Sequence, residues 1–307
     1  MASQKQIKRI AIVGLGLIGG SLAMTLKSSG YEIIGITKKN ETLEKAKKLK
    51  LIDSGSTELN SDVLKNVDVI FLSPPLSYIS YYIKEVSKIV KHEVILTDVG
   101  STKLDICKTA KSVLPENIAF IGGHPMAGTE QSGFNSAQTN LFKNCAWVLT
   151  PIDSSEKSKK ALSLLQNIIK QIGAKPVISN PEKHDQAVAL ISHLPLLASI
   201  GLCRVVKDIK DSKLKNLALL LASSGFRDMT RIGGGNPELN SDLLASNISQ
   251  LINLLPKYYS ELEKMLELAK DKTDELRKVL SVVNSWRGNL YNSEGKNNSL
   301  SKESNIH

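Results

Sequence analysis

The sequence predicts an α/β fold: a doubly wound, mostly parallel sheet in the first half and an all-helical second half. Three observations predict it. Short β-branched apolar runs alternate with helical spacing as far as Ser179. A glycine-rich turn joins the first run to the first helix. From Asn180 onward, strand signals stop. We therefore expect a nucleotide-binding domain over residues 1–179 and a helical domain over 180–290. The Asn-, Ser- and Lys-rich tail, 291–307, is expected to be disordered.

The first strand is Ile7 to Val13, followed at once by Gly14-Leu15-Gly16-Leu17-Ile18-Gly19 and a helix from Ser21 to Lys27. A strand, a GxGxxG turn and a helix form a dinucleotide fingerprint. Its first glycine makes the turn, its second admits pyrophosphate, and its third packs helix on strand. Gly14, Gly16, Leu17, Ile18 and Gly19 are thus candidate cofactor contacts, the helix start offering free N–H groups.

The second strand, Glu32 to Ile36, ends in Thr37-Lys38-Lys39. A carboxylate at this place binds the ribose 2′-hydroxyl of NAD; NADP needs a site that accepts a 2′-phosphate. Here a hydroxyl and two cations replace the acid, with Thr42 able to add a second hydroxyl, so NADP is the expected cofactor. Lys38 and Lys39 also read as solvated loop charges, but the missing acid still counts against NAD.

Val67 to Leu72 is the next strand, and Ser73 opens a loop expected to lie over the cofactor. Glu93 to Asp98 follows, running into Val99-Gly100-Ser101-Thr102-Lys103. Ser101 can cap the next helix or face a substrate. Ile118 to Ile121 leads into a loop holding His124, one histidine among four glycines in Gly122–Gly133. A histidine suits proton removal from a hydroxyl. A helix over Ser158 to Gln171 and strands over Cys145 to Thr150 and Lys175 to Ser179 complete this half.

A helix opened by Pro181-Glu182-Lys183-His184 runs to Ser192-His193-Leu194-Pro195, where Pro195 should kink it. His193 reads equally as a satisfied core residue or a ligand contact. Arg227 and Arg231, beside three glycines, can meet a carboxylate in bidentate fashion or simply end a basic helix. Mostly 4-3 apolar spacing from Leu251 to Val283, interrupted at Thr273, predicts one long amphipathic helix that needs a partner.

Composition excludes several classes. Hydrophobic residues at 41% and charged residues at 23% of 307 describe an ordinary globular protein. Apolar runs fall short of the roughly 20 residues that span a bilayer, and Met1 to Arg9 lacks a signal-like pattern, so we expect no membrane partner and a cytoplasmic protein. Cys107, Cys145 and Cys203 have no metal-ligand spacing, so no metal is expected and buried thiols are the default. A net charge of +10 can favour anionic partners, but the lysines are scattered and aromatics are 5%, which argues against nucleic acid.

Together, the fingerprint, GGHPMAGTEQSG at 122–133, SHLP at 192–195 and GFRDMTRIGGGNP at 225–237 resemble the prephenate/arogenate dehydrogenase family of tyrosine biosynthesis. The resemblance covers roughly residues 7–285. It implies a Rossmann domain, a helical domain that forms a homodimer, and oxidative decarboxylation of a small cyclohexadienyl substrate. It also implies His124 as the base, with Ser101 sharing the ring hydroxyl and Arg231 binding a substrate carboxylate. Thr129, Glu130, His193 and Asp228 would form the surrounding polar shell. GGGNPEL and Thr37-Lys38-Lys39 look most like the NADP-using arogenate dehydrogenases of plants and cyanobacteria. Leu196 and Asn240 stand where many prephenate-using relatives carry histidine and tryptophan, which leans toward arogenate. A prephenate or dual-specificity enzyme, and a non-catalytic NADP sensor, are the alternatives.

Overall fold

A computed structural model describes residues 7–128 and 131–291. Eight strands form one sheet: β1 (Arg9–Val13), β2 (Glu32–Ile36), β3 (Ser54–Ser56), β4 (Val69–Leu72), β5 (Val94–Asp98), β6 (Ile118–Pro125), β7 (Ala146–Pro151) and β8 (Lys175–Ile178). Their order is β3-β2-β1-β4-β5-β6-β7-β8, with every neighbouring pair parallel except β6 and β7. This is the doubly wound sheet expected, with one antiparallel step. The three-residue β3, Ser-Gly-Ser, carries no apolar pattern and was not foreseen.

Alternation along β1 divides the core between the two sheet faces. Ile10 and Ile12 join Leu22 and Leu26 of α1 (Leu17–Ser28) and Leu165 of α5 (Glu156–Gln171). Ala11 and Val13 join Ile83 of α3 (Ile79–Ile89) and Ile106 of α4 (Leu104–Val113). β4 and β5 are buried along their whole length, as strands covered on both faces must be. Between β2 and β3 lies α2 (Asn40–Lys48).

After β8 the described chain is helical. The helix expected to kink at Pro195 instead comprises α6 (Pro181–Val188), a π turn (Ala189–His193) and α7 (Leu194–Lys207). Proline lacks an N–H and crowds the carbonyl four residues back, and the widened turn before it accommodates both. Continuous through Pro195, the run Pro181–Lys207 contains a window of mean hydropathy 1.7, so one described segment does reach membrane-crossing length and apolarity, contrary to the expectation from the sequence. It buries His184, Asp185 and His193, and packs on α4.

Four helices follow: α8 (Ser212–Leu220), α9 (Ser224–Thr230), α10 (Pro237–Ser246) and α11 (Ile248–Asp271), and then α12 (Thr273–Tyr291). The single long helix expected from Leu251 to Val283 is therefore two. It breaks at Lys272, where Thr273 interrupts the apolar spacing and Asp274 and Glu275 supply the acidic first turn of a new helix. Pro256 lies inside α11. The chain divides by its packing into two compact units, Met1–Leu251 and Ile252–His307. Of the tail expected to be disordered, Tyr291 ends α12 and 292–307 lie outside the described residues.

Candidate active site

The carboxyl ends of β1, β4 and β5 line up along one edge of the sheet. Gly14 N–H donates to Ile36 O at 2.7 Å, Ser73 N–H to Val13 O at 2.7 Å, and Val99 N–H to Leu72 O at 3.0 Å. Ligands of open parallel sheets bind outside this edge. Gly14 turns there at φ +95°, and a Cβ on it would lie 2.4 Å from Ser73 O. A Cβ on Gly19 would strike Gly14 O, so the start of α1 must pack tightly on the turn. At Gly16 a Cβ would meet nothing within 4 Å, so the backbone here is open to a ligand. No side chain caps α1, and its first turn carries no acid. An open backbone before an uncapped helix start fits a dinucleotide's pyrophosphate, with Leu17 and Ile18 in the first turn. Ser73 places its hydroxyl beside Gly19.

Beyond β2, Thr37 N–H donates to Ser56 O at 3.1 Å, half-burying Thr37 at the end of the strand. Lys38 and Lys39 are exposed, and Thr42 is half-buried in α2. The Lys38 ammonium stands 5.6 Å from the centre of the Tyr78 ring, in the turn after β4.

His124 lies within β6, not in the loop expected. The strand continues through Pro125 because β7 pairs with it antiparallel, setting His124 opposite Val148. Gly123 makes the approach possible, since a Cβ there would sit 2.4 Å from Asp98 O. Its peptide is held on both sides. The N–H donates to Asp98 Oδ1 at 3.0 Å, and the carbonyl accepts from Lys103 Nζ at 2.7 Å. Lys103 is wholly buried and pairs with Asp98 Oδ2, which also accepts from Gly100 N–H at 2.8 Å.

From the other side, His124 Nδ1 lies 2.9 Å from His184 Nε2, and His184 Nδ1 lies 2.7 Å from Asp185 Oδ1. The two rings meet edge to face, 5.1 Å apart at 73°. Burial, and then the nearby His184 and Lys103, hold the His124 pKa well below the ordinary imidazole value. The ring is accordingly neutral at pH 7. Burial also lowers the His193 pKa. His193 ends the π turn, is buried, and its Nδ1 lies 3.1 Å from Asn247 Nδ2.

Ser101 is half-buried and does not cap α4; Asp185 reaches across from α6 to do so. Arg231 is exposed between α9 and the turn Ile232–Gly234. Asp228 pairs with Arg227 at 3.1 Å on the exposed side of α9. Thr129 and Glu130 lie outside the described residues. Asp98, Lys103, His184, Asp185 and Asn247 are polar site residues that sequence reasoning passed over. The one local signal was the His184-Asp185 dipeptide in the first turns of a helix, four residues after its Asn180 cap.

Among the described residues, no cluster of His, Cys, Asp and Glu could hold a metal ion. Residues 22–178 match the family described as "Prephenate dehydrogenase, nucleotide-binding domain", and residues 180–282 match "Prephenate dehydrogenase, dimerization domain". A prephenate dehydrogenase of Bacillus subtilis is 33% identical over 92% of this chain and 76% of its own. The crystal structure of Synechocystis arogenate dehydrogenase superposes with a TM-score of 0.80 at 37% identity, covering 91% of this chain and 98% of that one. The prephenate dehydrogenase of A. aeolicus, in complex with hydroxyphenyl propionate and NAD+, gives a TM-score of 0.83 at 28% identity over 92% and 98%.

Proposed function

The chain belongs to the prephenate dehydrogenase family, and from that premise we propose that it is an NADP-dependent arogenate dehydrogenase. Membership makes it a prephenate/arogenate dehydrogenase, an oxidoreductase of aromatic amino acid biosynthesis.

The observation that carries the mechanism is a neutral, half-buried His124 beside the sheet edge that also carries the Gly14–Gly19 turn. When bound, the oxidised nicotinamide supplies a two-electron acceptor for the carbon that bears the ring hydroxyl. His124 takes the proton from that hydroxyl, which makes loss of the carbon's electrons easier. A base so placed helps most in the transition state, by roughly 10²–10⁴-fold. Ser101 shares the hydroxyl, and Arg231 binds a substrate carboxylate. Thr129, Glu130, His193 and Asp228 contribute the polar surroundings. Loss of the ring carboxylate as CO₂ leaves an aromatic ring and makes the step effectively irreversible.

Thr37, Lys38 and Lys39, in place of an acid after β2, support NADP, with Thr42 following in the chain and Tyr78 5.6 Å from the Lys38 ammonium. Leu196 and Asn240 support arogenate. Prephenate is the second reading, favoured by the relatives named for it. A homodimer is supported by the match to a dimerization domain and by exposed apolar residues such as Leu220, Ile252 and Trp286. We assign residues 1–179 to nucleotide binding and 180–290 to substrate binding and dimerisation, and place the enzyme in the cytoplasm.

The test is His124→Ala. Turnover should fall by roughly 10²–10⁴-fold while NADP affinity, measured by fluorescence titration, stays within a factor of a few. A variant with near wild-type turnover would remove His124 from the chemistry and favour a nucleotide sensor.

A further inference from the structure

Behind His124 stands a chain of hydrogen bonds whose direction can be worked out. Asp185 Oδ1 accepts from Lys103 N–H at 2.7 Å, and Oδ2 accepts from Leu104 N–H at 2.9 Å, at the start of α4. Both oxygens therefore act as acceptors, as an ionised carboxylate at a helix N-terminus does. Oδ1 also lies 2.7 Å from His184 Nδ1, so that nitrogen carries the hydrogen and donates it. A neutral imidazole with hydrogen on Nδ1 has its lone pair on Nε2. With His184 neutral, His124 Nδ1 is the donor across the 2.9 Å to His184 Nε2. The remaining lone pair of His124 is then on Nε2.

We propose that His184 and Asp185 are positioning residues for the proton transfer: they hold His124 as its Nδ1–H tautomer and leave Nε2 as the base. The proposal rests on reading His124 as the base. In the step, the substrate O–H bond breaks and its electron pair stays on oxygen. The proton forms a new bond to His124 Nε2. The Nδ1–H bond is retained and directed at His184 Nε2, behind which the Asp185 carboxylate faces the new positive charge. A carboxylate that orients a catalytic histidine without taking its proton is a recurring solution in unrelated enzymes.

The need for such a device follows from the side chain itself. A neutral histidine free in water prefers hydrogen on Nε2, which would present a donor where an acceptor is required. The other charged and titratable groups around His124 cannot set its tautomer. Lys103 and Asp98 neutralise each other and hold the Gly123 peptide. His193 Nδ1 faces Asn247, whose amide also donates to Asp185 O at 2.8 Å and so anchors the residue that does the orienting.

Two measurements test this, one independent of turnover. In protein labelled with ¹⁵N at its five histidines, imidazole NMR near pH 7.5 should report Nδ1–H, and no hydrogen on Nε2, for both His124 and His184. Hydrogen on Nε2 of His124 in the wild-type enzyme would overturn the proposal, whatever the activity. His184→Phe removes the acceptor and should lower kcat on the order of 10²-fold, with nucleotide affinity unchanged and His124 reverting toward Nε2–H. His184→Gln keeps an oxygen that can accept from Nδ1–H, so it should recover a large part of kcat and keep the Nδ1–H tautomer. Wild-type kcat in His184→Phe would overturn the proposal, as would equal losses in both variants with His124 still Nδ1–H. Wild-type protein that shows the Nδ1–H tautomer but no turnover of arogenate or prephenate would count against the proposed function instead.

Discussion

At the scale of single residues, His124 owes its properties to where β6 carries it. Burial, first, and then the neighbouring His184 and Lys103 disfavour its charged form. The acid limb of kcat/KM should therefore lie below the ordinary imidazole value of 6.5, because protonation of His124 silences the base only at lower pH. An acid limb above pH 6.5 in a profile with saturating nucleotide would contradict this. The same shift links to stability. His124 and His193 bind protons more readily unfolded than folded, so stability present above pH 6.5 is lost as pH falls from there toward their lowered native values. Urea midpoints at pH 7.5 and 5.5 should show the decline, and His124→Gln should reduce it. Gly14, Gly16 and Gly19 were legible in the sequence because their reasons are local: a turn, an open backbone and a tight packing within six residues. His184 and Asp185 were not, because their meaning arises only when α6 docks on α4 and β6, sixty residues away from His124 in the chain.

Among the elements, the junction of β2 and α2 is where we propose the cofactor is chosen. Thr37 closes β2 against Ser56, with two lysines after it, and Lys38 rests over Tyr78 from the turn after β4. Thr37→Asp should move preference from NADP toward NAD by about tenfold or more, since about 1.4 kcal/mol of like-charge repulsion suffices for that factor. Steady-state kinetics with both nucleotides measures it, and an unchanged ratio would place the 2′-phosphate elsewhere. Element ends were less legible than elements. β6 runs four residues past its apolar run because pairing with β7, not hydrophobicity, prolongs it through Gly122-Gly123-His124-Pro125. Pro195 was legible as a disturbance, but the π turn that absorbs it lies N-terminal to the proline and includes His193. The long helix pattern concealed a break because the apolar spacing resumes after Thr273 in nearly the same phase.

In the whole molecule, a nucleotide-binding sheet is joined to helices that reach back to the edge carrying His124. α6 brings His184 and Asp185 to His124 of β6, the proposed base, and Asn247, just before α11, fastens Asp185. The sequence revealed the doubly wound sheet through its alternation, whereas the cross-links between sheet and helices depend on packing and carry no local signature. The most direct test of the account is reduced-nicotinamide absorbance with the purified full chain, offering arogenate or prephenate against NADP or NAD. The account predicts turnover with arogenate and NADP, at a kcat/KM well above the other three combinations. Comparable or faster turnover of prephenate, or a preference for NAD, would contradict it.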